Sequence, residues 1–470
     1  MTTAVAAAAS VDTTPTRLAE MNASFFSRWS EQHQHQLTVG EEMPPVIVPW
    51  RLSFTRVRCT EADIRANCQE WILRHLDDQA CPHPLAEYIC QQSLSIIIST
   101  MDRSDYCLSD QAELGSRCRP AATASTGTGS SDNSTGASDT NTSQQAAHDD
   151  GESENAGLLD GMKVCQHALT ICRKVCTDLL QERSSVSGHL PLNCKWLWNV
   201  SAQAIRNRRR KMEDRHLVMP YLEILSEAKS IPPTSLYAVF DGHRGADAAE
   251  FSATHLPSIL LENDHFESDL MMAMEESLRE LDRQFIDYSQ SKGNIKAGCT
   301  AVIVCVRHAH MYCAWLGDSQ LLIATRGDDG ARLVTTPHTA SSEAEQSRID
   351  ALGGICIQAS GSWRVSGQLA VSRAIGDCDL KKYLVSDCDK MSVEISNDVD
   401  YIVLACDGVW DAKDISLHTM HTTIHQCRTT VAGEQLSSEA AKALVDLART
   451  ASDDNITAIV VDMRGYAAQL

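Results

Sequence analysis

The chain has 470 residues, 43% of them hydrophobic, and a formal net charge of −21 at pH 7. This length predicts a folded core of about 250 residues with an appendage. The acidic charge argues against nucleic-acid binding, which needs a basic surface to displace counterions from phosphates. No apolar run reaches the ~20 residues of a membrane-spanning helix, so we expect no membrane insertion and favour protein partners.

Eighteen cysteines raise the question of a disulfide framework. The first residues, MTTAV, lack the basic and apolar segments of a secretory signal, so we expect reduced cysteines inside a cell. The chain has no C-x-x-C pair, which disfavours a zinc site. Cys305, Cys313 and Cys406 lie in apolar segments and are interpreted as small buried hydrophobes. We expect a cytoplasmic protein, with the nucleus as the alternative.

The amino-terminal part is predicted to be a helical domain, residues 45–187, that follows a disordered stretch, residues 1–44. The sequence from Thr60 to Asp63 is typical of a helix N-cap and precedes apolar residues at helical spacing. A second helix is expected to begin at Pro82 or Pro84, since proline is favoured in a first turn.

A third helix is indicated by apolar residues from Leu158 to Leu179, which recur in alternate steps of four and three. We interpret it as part of a small bundle, and a partner-binding or dimerising coil is the alternative. Between the second and third helices, residues 117–157 have hardly any aliphatic side chains and are predicted to form a disordered loop. The N-x-S/T triplets at Asn133 and Asn141 are expected to be unmodified without a secretory signal.

Residues 198–465 show a different pattern, in which short apolar strands alternate with helices. Strands are predicted at 236–240, 300–306, 311–316, 320–325, 401–405 and 456–461, and helices at 246–261, 269–288, 343–352 and 438–450. Because consecutive strands between 300 and 325 are joined by few residues, they predict antiparallel meanders rather than parallel crossovers.

Four of these strands have a carboxylate at one end. Asp241, Asp318 and Asp407 follow apolar strands, and Asp454 precedes one. Carboxylates that converge repel one another and hold protons unless cations are bound. Oxygen ligands favour hard divalent ions, Mg²⁺ or Mn²⁺, over zinc. The pattern therefore predicts an acidic metal site, although a solvated turn explains any single aspartate of this kind.

Seven short motifs resemble, in chain order, those of the metal-dependent PPM (type 2C) serine/threonine protein phosphatases. They are RRKMED at 209–214, DGH at 241–243, GCT at 298–300, GDS at 317–319, AVSRAIGD at 370–377, ACDGVWD at 405–411 and DN at 454–455. Within the family, the run from Ala204 to His216 resembles the POPX subgroup, which acts on calmodulin-dependent and related kinases. The resemblance implies an α+β fold, a sandwich of two antiparallel β-sheets flanked by helices.

The resemblance also implies a centre of two Mg²⁺ or Mn²⁺ ions. Asp241 would bridge both ions, Asp407 and Asp454 would complete one coordination sphere, and the Gly242 carbonyl would enter the other. A water between the ions would attack phosphorus in line. The same resemblance assigns further residues around this centre. Glu213 and Asp214 would act mainly through water. Asp318 and Asp411 match a third, weaker metal site, with a loop-holding role as the alternative.

Two non-metal residues have implied roles in the reaction. Arg209 corresponds to the residue that binds the substrate phosphate. The basic run at 206–211 has a second interpretation as a nuclear localisation signal, which its continuation into a predicted strand at 212–214 disfavours. His243 corresponds to the general acid that protonates the departing oxygen, and a structural bond to a nearby carboxylate is the alternative. Arg373 is interpreted as a structural ion-pair partner.

Two departures from the family pattern bear on activity. Arg244 replaces the first of two glycines in DGHGG, and a positive φ there would cost an arginine about 1 to 2 kcal/mol. The sequence TPHT at 336–339 replaces the family's DHKP. We expect altered selectivity rather than inactivity.

The sequence thus predicts a metal-dependent phosphatase of phosphoserine and phosphothreonine proteins, with autophosphorylated Ser/Thr kinases as candidate substrates and protein partners bound through the helical domain. One alternative is a pseudophosphatase that binds phosphoproteins without turnover, which Arg244 favours. A two-metal nuclease is disfavoured by the acidic charge and by the lack of an aromatic-basic groove.

Overall fold

The computed structural model describes residues 27–29, 56–58, 61–79, 81, 83–100, 158–181, 200–220, 222–225, 231–326, 330–359, 361–429 and 439–464. The loop predicted at 117–157 lies outside these residues. So does most of the stretch 1–44, except residues 27–29, which are helical. The prediction of disorder is wrong for Trp29, because its side chain is buried in the hydrophobic core.

Two five-stranded antiparallel sheets form the carboxyl-terminal part. The strands of the first sheet, in spatial order, are β11 (Ala331–Leu333), β10 (Gln320–Thr325), β16 (Val399–Ala405), β17 (Ile456–Asp462) and β3 (Val200–Ile205). Those of the second are β15 (Asp389–Glu394), β9 (His310–Leu316), β8 (Ala301–Arg307), β5 (Thr234–Phe240) and β4 (Arg215–Met219). Strands β16 and β17 contact β5 across the sandwich.

The central strands are buried along their whole length. Every residue of β5, β8, β16 and β17 is buried, because one face meets the other sheet and the other face meets helices. This explains why these strands appear in the sequence as continuous apolar runs rather than as alternating ones. The sandwich of antiparallel sheets predicted from the sequence is confirmed, and β8 and β9 form the expected antiparallel hairpin. The meander expected over 300–325 is wrong beyond β9, because β10 crosses to the first sheet and pairs there with β11 and β16.

Helices cover both outer faces of the sandwich. In chain order after the amino-terminal region they are α4 (Asp247–Leu261), α5 (Leu270–Ser291), α6 (Glu343–Ala351), α7 (Asp407–Trp410), α8 (Leu417–Thr429) and α9 (Ala440–Arg449). Helices α4 and α5 pack on the second sheet, and α8 and α9 on the first. The α5 helix begins after Asp269, whose Oδ1 accepts a hydrogen bond from the Met272 amide at 3.0 Å.

Shorter strands complete the fold near the site. They are β6 (Gly242–His243), β7 (Gly298–Cys299) and β14 (Ile375–Gly376), which form one small sheet, and β12 (Cys356–Ala359) and β13 (Ser362–Val365), which form a hairpin. The sheet formed by β14, β7 and β6 joins the DGH motif directly to the GCT and AIGD motifs.

Three amino-terminal helices pack against one another: α1 (Glu61–Asp78), α2 (His83–Thr100) and α3 (Gly161–Gln181). The sequence predicted Leu158 as part of the third helix. Leu158 lies instead in strand β2 (Leu158–Asp160), which pairs with β1 (Arg56–Arg58). No helix in the part of the chain that the structure describes is long and apolar enough to cross a membrane.

Helix α1 docks on α4 through a buried polar contact. Asp63 Oδ2 lies 2.9 Å from Nδ1 of His255, and the Ser258 hydroxyl donates to the same carboxylate. Both Asp63 and His255 are almost fully buried. This contact connects the helical region to the helix that begins four residues after His243.

Candidate metal centre and active site

Carboxylates from both sheets meet at one end of the sandwich. Asp241 follows β5, Asp318 follows β9, Asp407 begins α7 directly after β16, and Asp454 precedes β17. Ligand atoms of Asp241, Asp407 and the neighbouring Cys406 lie within 4.8 Å of one another. The convergence expected from the strand ends is therefore present for Asp241 and Asp407.

The electrostatics of this cluster show how closely its acids interact. Burial, followed by the charge of Asp407, raises the pKa of Asp241 well above its usual range. Burial, with the charges of Asp407 and Asp454, raises the pKa of Asp214 to about 7, although a hydrogen bond from Thr457 lowers this pKa. Such shifts are typical of acids that are placed for a cation.

The same causes act on two further aspartates. Burial, followed by the charge of Asp454, raises the pKa of Asp407 to about 6. Burial and the charge of Asp407 raise the pKa of Asp318 to about 8. Asp411 is the C-cap residue of α7, and desolvation by its surroundings raises the pKa of this carboxyl as well. Asp318 and Asp411, the two residues that match a third metal site in the sequence, thus border the main cluster.

Asp214 reaches the cluster from the segment before β4, and the backbone of Glu213 lies against Gly242. Asp214 Oδ2 accepts a hydrogen bond from the Thr457 hydroxyl at 2.7 Å, while its Oδ1 is buried without a hydrogen-bond partner among the described residues. Residues 212–214 are not a strand, which contradicts the sequence prediction, because β4 begins only at Arg215. Gly242 packs so closely that any side chain there would collide with the Glu213 carbonyl.

Asn455 holds the segment that carries Glu213. Its Oδ1 accepts a hydrogen bond from the Glu213 amide at 2.8 Å, and its Nδ2 donates to the carbonyls of Arg206 at 2.9 Å and Lys211 at 3.0 Å. One buried side chain therefore fixes both ends of the basic run relative to Asp454.

Arg215 supports the same segment from the other side. Its guanidinium donates to the carbonyl of Asp214 at 2.8 Å and forms a 2.7 Å ion pair with Glu250 of helix α4. The Arg215 side chain is 5% exposed and that of Glu250 16%. Because the pair is buried and hydrogen-bonded, its loss would leave an uncompensated charge. Arg215 is thus a positioning residue for Asp214.

His243 is held by a carboxylate that sequence reasoning did not single out. His243 Nε2 lies 2.7 Å from Oδ2 of Asp377, a fully buried residue of the AVSRAIGD motif. Gly298 separates the two β-strands at this point, and a side chain there would collide with both groups. The pair has the geometry of an imidazole oriented by an acid.

Arg244 adopts the conformation that makes its replacement of glycine costly. Its φ is +60°, in the left-handed region that β-carbon sterics disfavour. The guanidinium donates to both oxygens of Asp379, at 2.9 and 2.7 Å, and to Oδ1 of Asp377 at 3.2 Å. Its charge is therefore directed at these two acids, and these contacts offset part of the backbone strain.

Arg209 lies at the rim of the cluster. Its side chain is 60% exposed and pairs with the carboxylate of Asp454. The neighbouring Arg208 forms a 2.5 Å pair with Asp453. A cavity of about 570 Å³ opens here, lined among others by Arg208, Arg209, Asp407, Asp411 and Asp454.

Other residues named from the sequence have structural contacts. Arg373 forms ion pairs with Glu345 at 2.7 Å and with Asp389 at 3.0 Å, as expected of a structural residue. His338, in the segment that replaces DHKP, stacks on Trp315 with ring centroids 6.4 Å apart. The Thr300 amide donates a hydrogen bond to the Asp241 carbonyl at 2.9 Å, next to the site.

Cys406 was interpreted from the sequence only as a buried hydrophobe. Its sulfur accepts a 3.1 Å hydrogen bond from the Thr457 amide and lies beside Asp241 and Asp407. Burial raises the pKa of the thiol well above its usual range, which disfavours a thiolate ligand. The remaining donors are oxygens, among them the buried Asp214 Oδ1, which has no hydrogen-bond partner among the described residues. This donor set fits Mg²⁺ or Mn²⁺.

Comparisons with known proteins agree with this geometry. A family profile described as Protein phosphatase 2C matches residues 198–456, more than half of the chain. The chain therefore belongs to the protein phosphatase 2C family, which confirms the resemblance seen in the motifs. The family as a whole is metal-dependent.

Two mouse phosphatases are similar to this chain in sequence. Protein phosphatase 1E of Mus musculus is 37% identical over 268 residues, which cover 57% of this chain and 35% of that protein. Protein phosphatase 1F of Mus musculus is 35% identical over 310 residues, which cover 65% of this chain and 66% of that protein. The chain thus spans about a third of the first relative and about two thirds of the second.

Two solved structures share the fold. The chain titled "Structure of a C.elegans sex determining protein" is 20% identical with a TM-score of 0.65, and the match covers 95% of this chain and 96% of that one. A serine-threonine phosphatase 2C from Toxoplasma gondii is 22% identical with a TM-score of 0.50, covering 56% and 94%. At these identities the likeness shows the fold alone.

Proposed function

We propose that this chain is a metal-dependent protein phosphatase that hydrolyses phosphoserine and phosphothreonine. The observation that supports it most is the convergence of Asp241, Asp407 and Asp214 at one end of the sandwich, beside the guanidinium of Arg209. Two Mg²⁺ or Mn²⁺ ions are the cofactors that we assign. Asp241, Asp407, Asp454 and the Gly242 carbonyl would hold them, with Glu213 and Asp214 acting through water. Asp318 and Asp411 would serve a third, weaker site.

The bound ions would supply Lewis-acid stabilisation and a water of lowered pKa for in-line attack on phosphorus. Arg209 would exchange its exposed pair with Asp454 for two oxygens of the substrate phosphate. This exchange costs little, because exposed ion pairs contribute only about 0 to 1 kcal/mol. A planar guanidinium can bind both oxygens at once.

His243 would protonate the departing serine or threonine oxygen. An alkoxide is a poor leaving group, so a proton delivered there lowers the barrier. Asp377, 2.7 Å from Nε2, would keep the imidazole in one orientation and stabilise its charged form. The two residues come together through the pairing of β6 and β14 with β7.

The helical region would recruit substrates, with autophosphorylated kinases as the candidates. Helix α1 contacts α4, while the residues that line the 570 Å³ cavity all lie between 208 and 454. Docking there leaves the cavity open to a phosphoprotein. A phosphoproteomic comparison after acute depletion tests the substrate class.

The cytoplasm, with the nucleus as the alternative, stays our prediction for the location of the protein. Imaging of the tagged full chain tests it.

A pseudophosphatase is the second candidate, favoured by the positive φ of Arg244. Metal titration separates the two, since an adaptor needs no ions. The phosphatase proposal is tested on a phosphothreonine peptide with Mn²⁺. Turnover that EDTA abolishes and that the Asp241→Asn variant lacks is the expected result. Full activity in Asp241→Asn would overturn the assigned roles.

A further inference from the structure

A second cavity, separate from the acidic centre, lies against the basic run. It has about 460 Å³ and is lined by Ile205, Arg206, Asn207, Arg208 and Arg449. We call it the basic pocket. Arg208 lines both the basic pocket and the 570 Å³ catalytic cavity, so the two spaces adjoin.

The basic pocket is built on fixed backbone. Asn455 bonds to the carbonyls of Arg206 and Lys211, and Asn207 donates to the Ser452 carbonyl at 2.6 Å from a left-handed conformation with φ of +50°. The arginines therefore keep a constant relation to Asp454. A nuclear localisation signal is recognised as an accessible segment, whereas the backbone of the basic run is held at the site by these hydrogen bonds.

The charge in the basic pocket is only partly neutralised. Within the described residues, neither Arg206 nor Arg449 has a carboxylate partner, and Arg206 bonds only to the carbonyl of Arg210 at 3.3 Å. The pair between Arg208 and Asp453 is 68% and 78% exposed, so an anion can displace it at little cost. In a chain of net charge −21, the basic pocket therefore combines two guanidinium groups without a carboxylate partner among the described residues and a third in an exposed, displaceable pair.

We propose that the basic pocket binds a second anionic group of the phosphoprotein substrate, a phosphate more strongly than a carboxylate. This inference rests on the proposed function. Guanidinium groups bind phosphate through two parallel hydrogen bonds. Because the basic pocket is a single cavity, it suits one anionic group of a peptide. Phosphothreonine segments that carry another phosphate nearby are therefore the preferred substrates.

The test uses the full chain and phosphothreonine peptides that differ at one flanking position, which is phosphoserine, glutamate or alanine. Binding is measured by fluorescence anisotropy after metal removal, so it does not depend on turnover. Because all three peptides share the central phosphothreonine, repulsion by the acidic centre cancels in the comparison. Hydrolysis with Mn²⁺ is then measured on the same peptides. If the peptides bind with the expected preference but are not hydrolysed, the result counts against the proposed function and not against the basic pocket.

The phosphoserine peptide is expected to bind about five-fold more tightly than the alanine peptide, with glutamate between them, because the added contact is charge-assisted. Arg449→Gln should reduce this preference to near unity, and Arg449→Lys should retain part of it. Lys442→Gln is the matched control, because it removes the same charge from the same helix outside the pocket and should keep the preference. No preference in the unmodified chain, or an undiminished one in Arg449→Gln, overturns the proposal.

Discussion

Asp377 and His243, 134 residues apart in the sequence, form a 2.7 Å contact in which the carboxylate is completely buried. If His243 is the general acid, Asp377→Asn keeps the shape of the site but removes the charge that stabilises the imidazolium. We expect kcat on a phosphothreonine peptide to fall by roughly 10²-fold.

The leaving group separates this role from a structural one. Hydrolysis of p-nitrophenyl phosphate needs little protonation of the departing oxygen, so the same variant should lose much less activity on it. Equal losses on both substrates would show that Asp377 only supports the fold. Thermal unfolding of the variant provides the control.

Arg244 tests whether backbone strain is present beside the site. Arg244→Gly and Arg244→Ala both remove the pairs with Asp377 and Asp379, but only glycine relieves the positive φ. The glycine variant should therefore be more stable than the alanine variant by about 1 kcal/mol. Chemical denaturation of the two variants measures the difference. An alanine variant as stable as the glycine variant would contradict the strain.

Arg215 connects the metal ligands to helix α4. Arg215→Lys keeps a charge for Glu250, but an ammonium cannot donate to Glu250 and to the Asp214 carbonyl in the same fork geometry. We expect Mn²⁺ affinity to fall about ten-fold, in the range that supporting hydrogen bonds contribute to metal sites. Glu250→Gln retains the bond to Asp214 and should weaken Mn²⁺ binding less. Unchanged affinity in Arg215→Lys would refute the positioning role.

The raised acid pKa values predict how stability depends on pH. Asp407, Asp214 and Asp318 have folded-state pKa values of about 6, 7 and 8, above their unfolded values. The metal-free folded state therefore holds protons that the unfolded state has released, and its stability falls as pH rises through this window.

Mn²⁺ replaces those protons, so the stabilisation that it gives should grow with pH. The rise in Tm caused by Mn²⁺ is expected to be larger at about pH 8 than at about pH 5.5. Differential scanning calorimetry at both pH values measures it. A rise that is equal at both, or larger in acid, would mean that these carboxyls do not bind the metal.

Much of the fold could be predicted from local pattern. The central strands are continuous apolar runs, and helices such as α5 begin at clear capping residues, so their bounds agree with the prediction within a few residues. Two of the local predictions that were wrong failed because of contacts between distant segments. Leu158 pairs with residues 56–58 instead of extending α3, and Asn455 holds the segment before β4 out of a strand.

The candidate site was only partly predictable. Asp241 and Asp407 follow strands whose ends could be located in the sequence, so their convergence was expected. The contacts of Asp377 with His243, of Glu250 with Arg215 and of Asn455 with Arg206 join distant segments. Such contacts depend on which strands pair and on how α4 packs, and neither is encoded in a local pattern.

The central claim is that acids from separate segments form one centre that divalent ions complete. Isothermal titration of the metal-free full chain with Mn²⁺, compared with Asp241→Asn and Asp407→Asn, tests it most directly. We predict that the unmodified chain binds two ions and that each variant loses at least one of them. Equal Mn²⁺ binding by the unmodified chain and both variants would contradict the account.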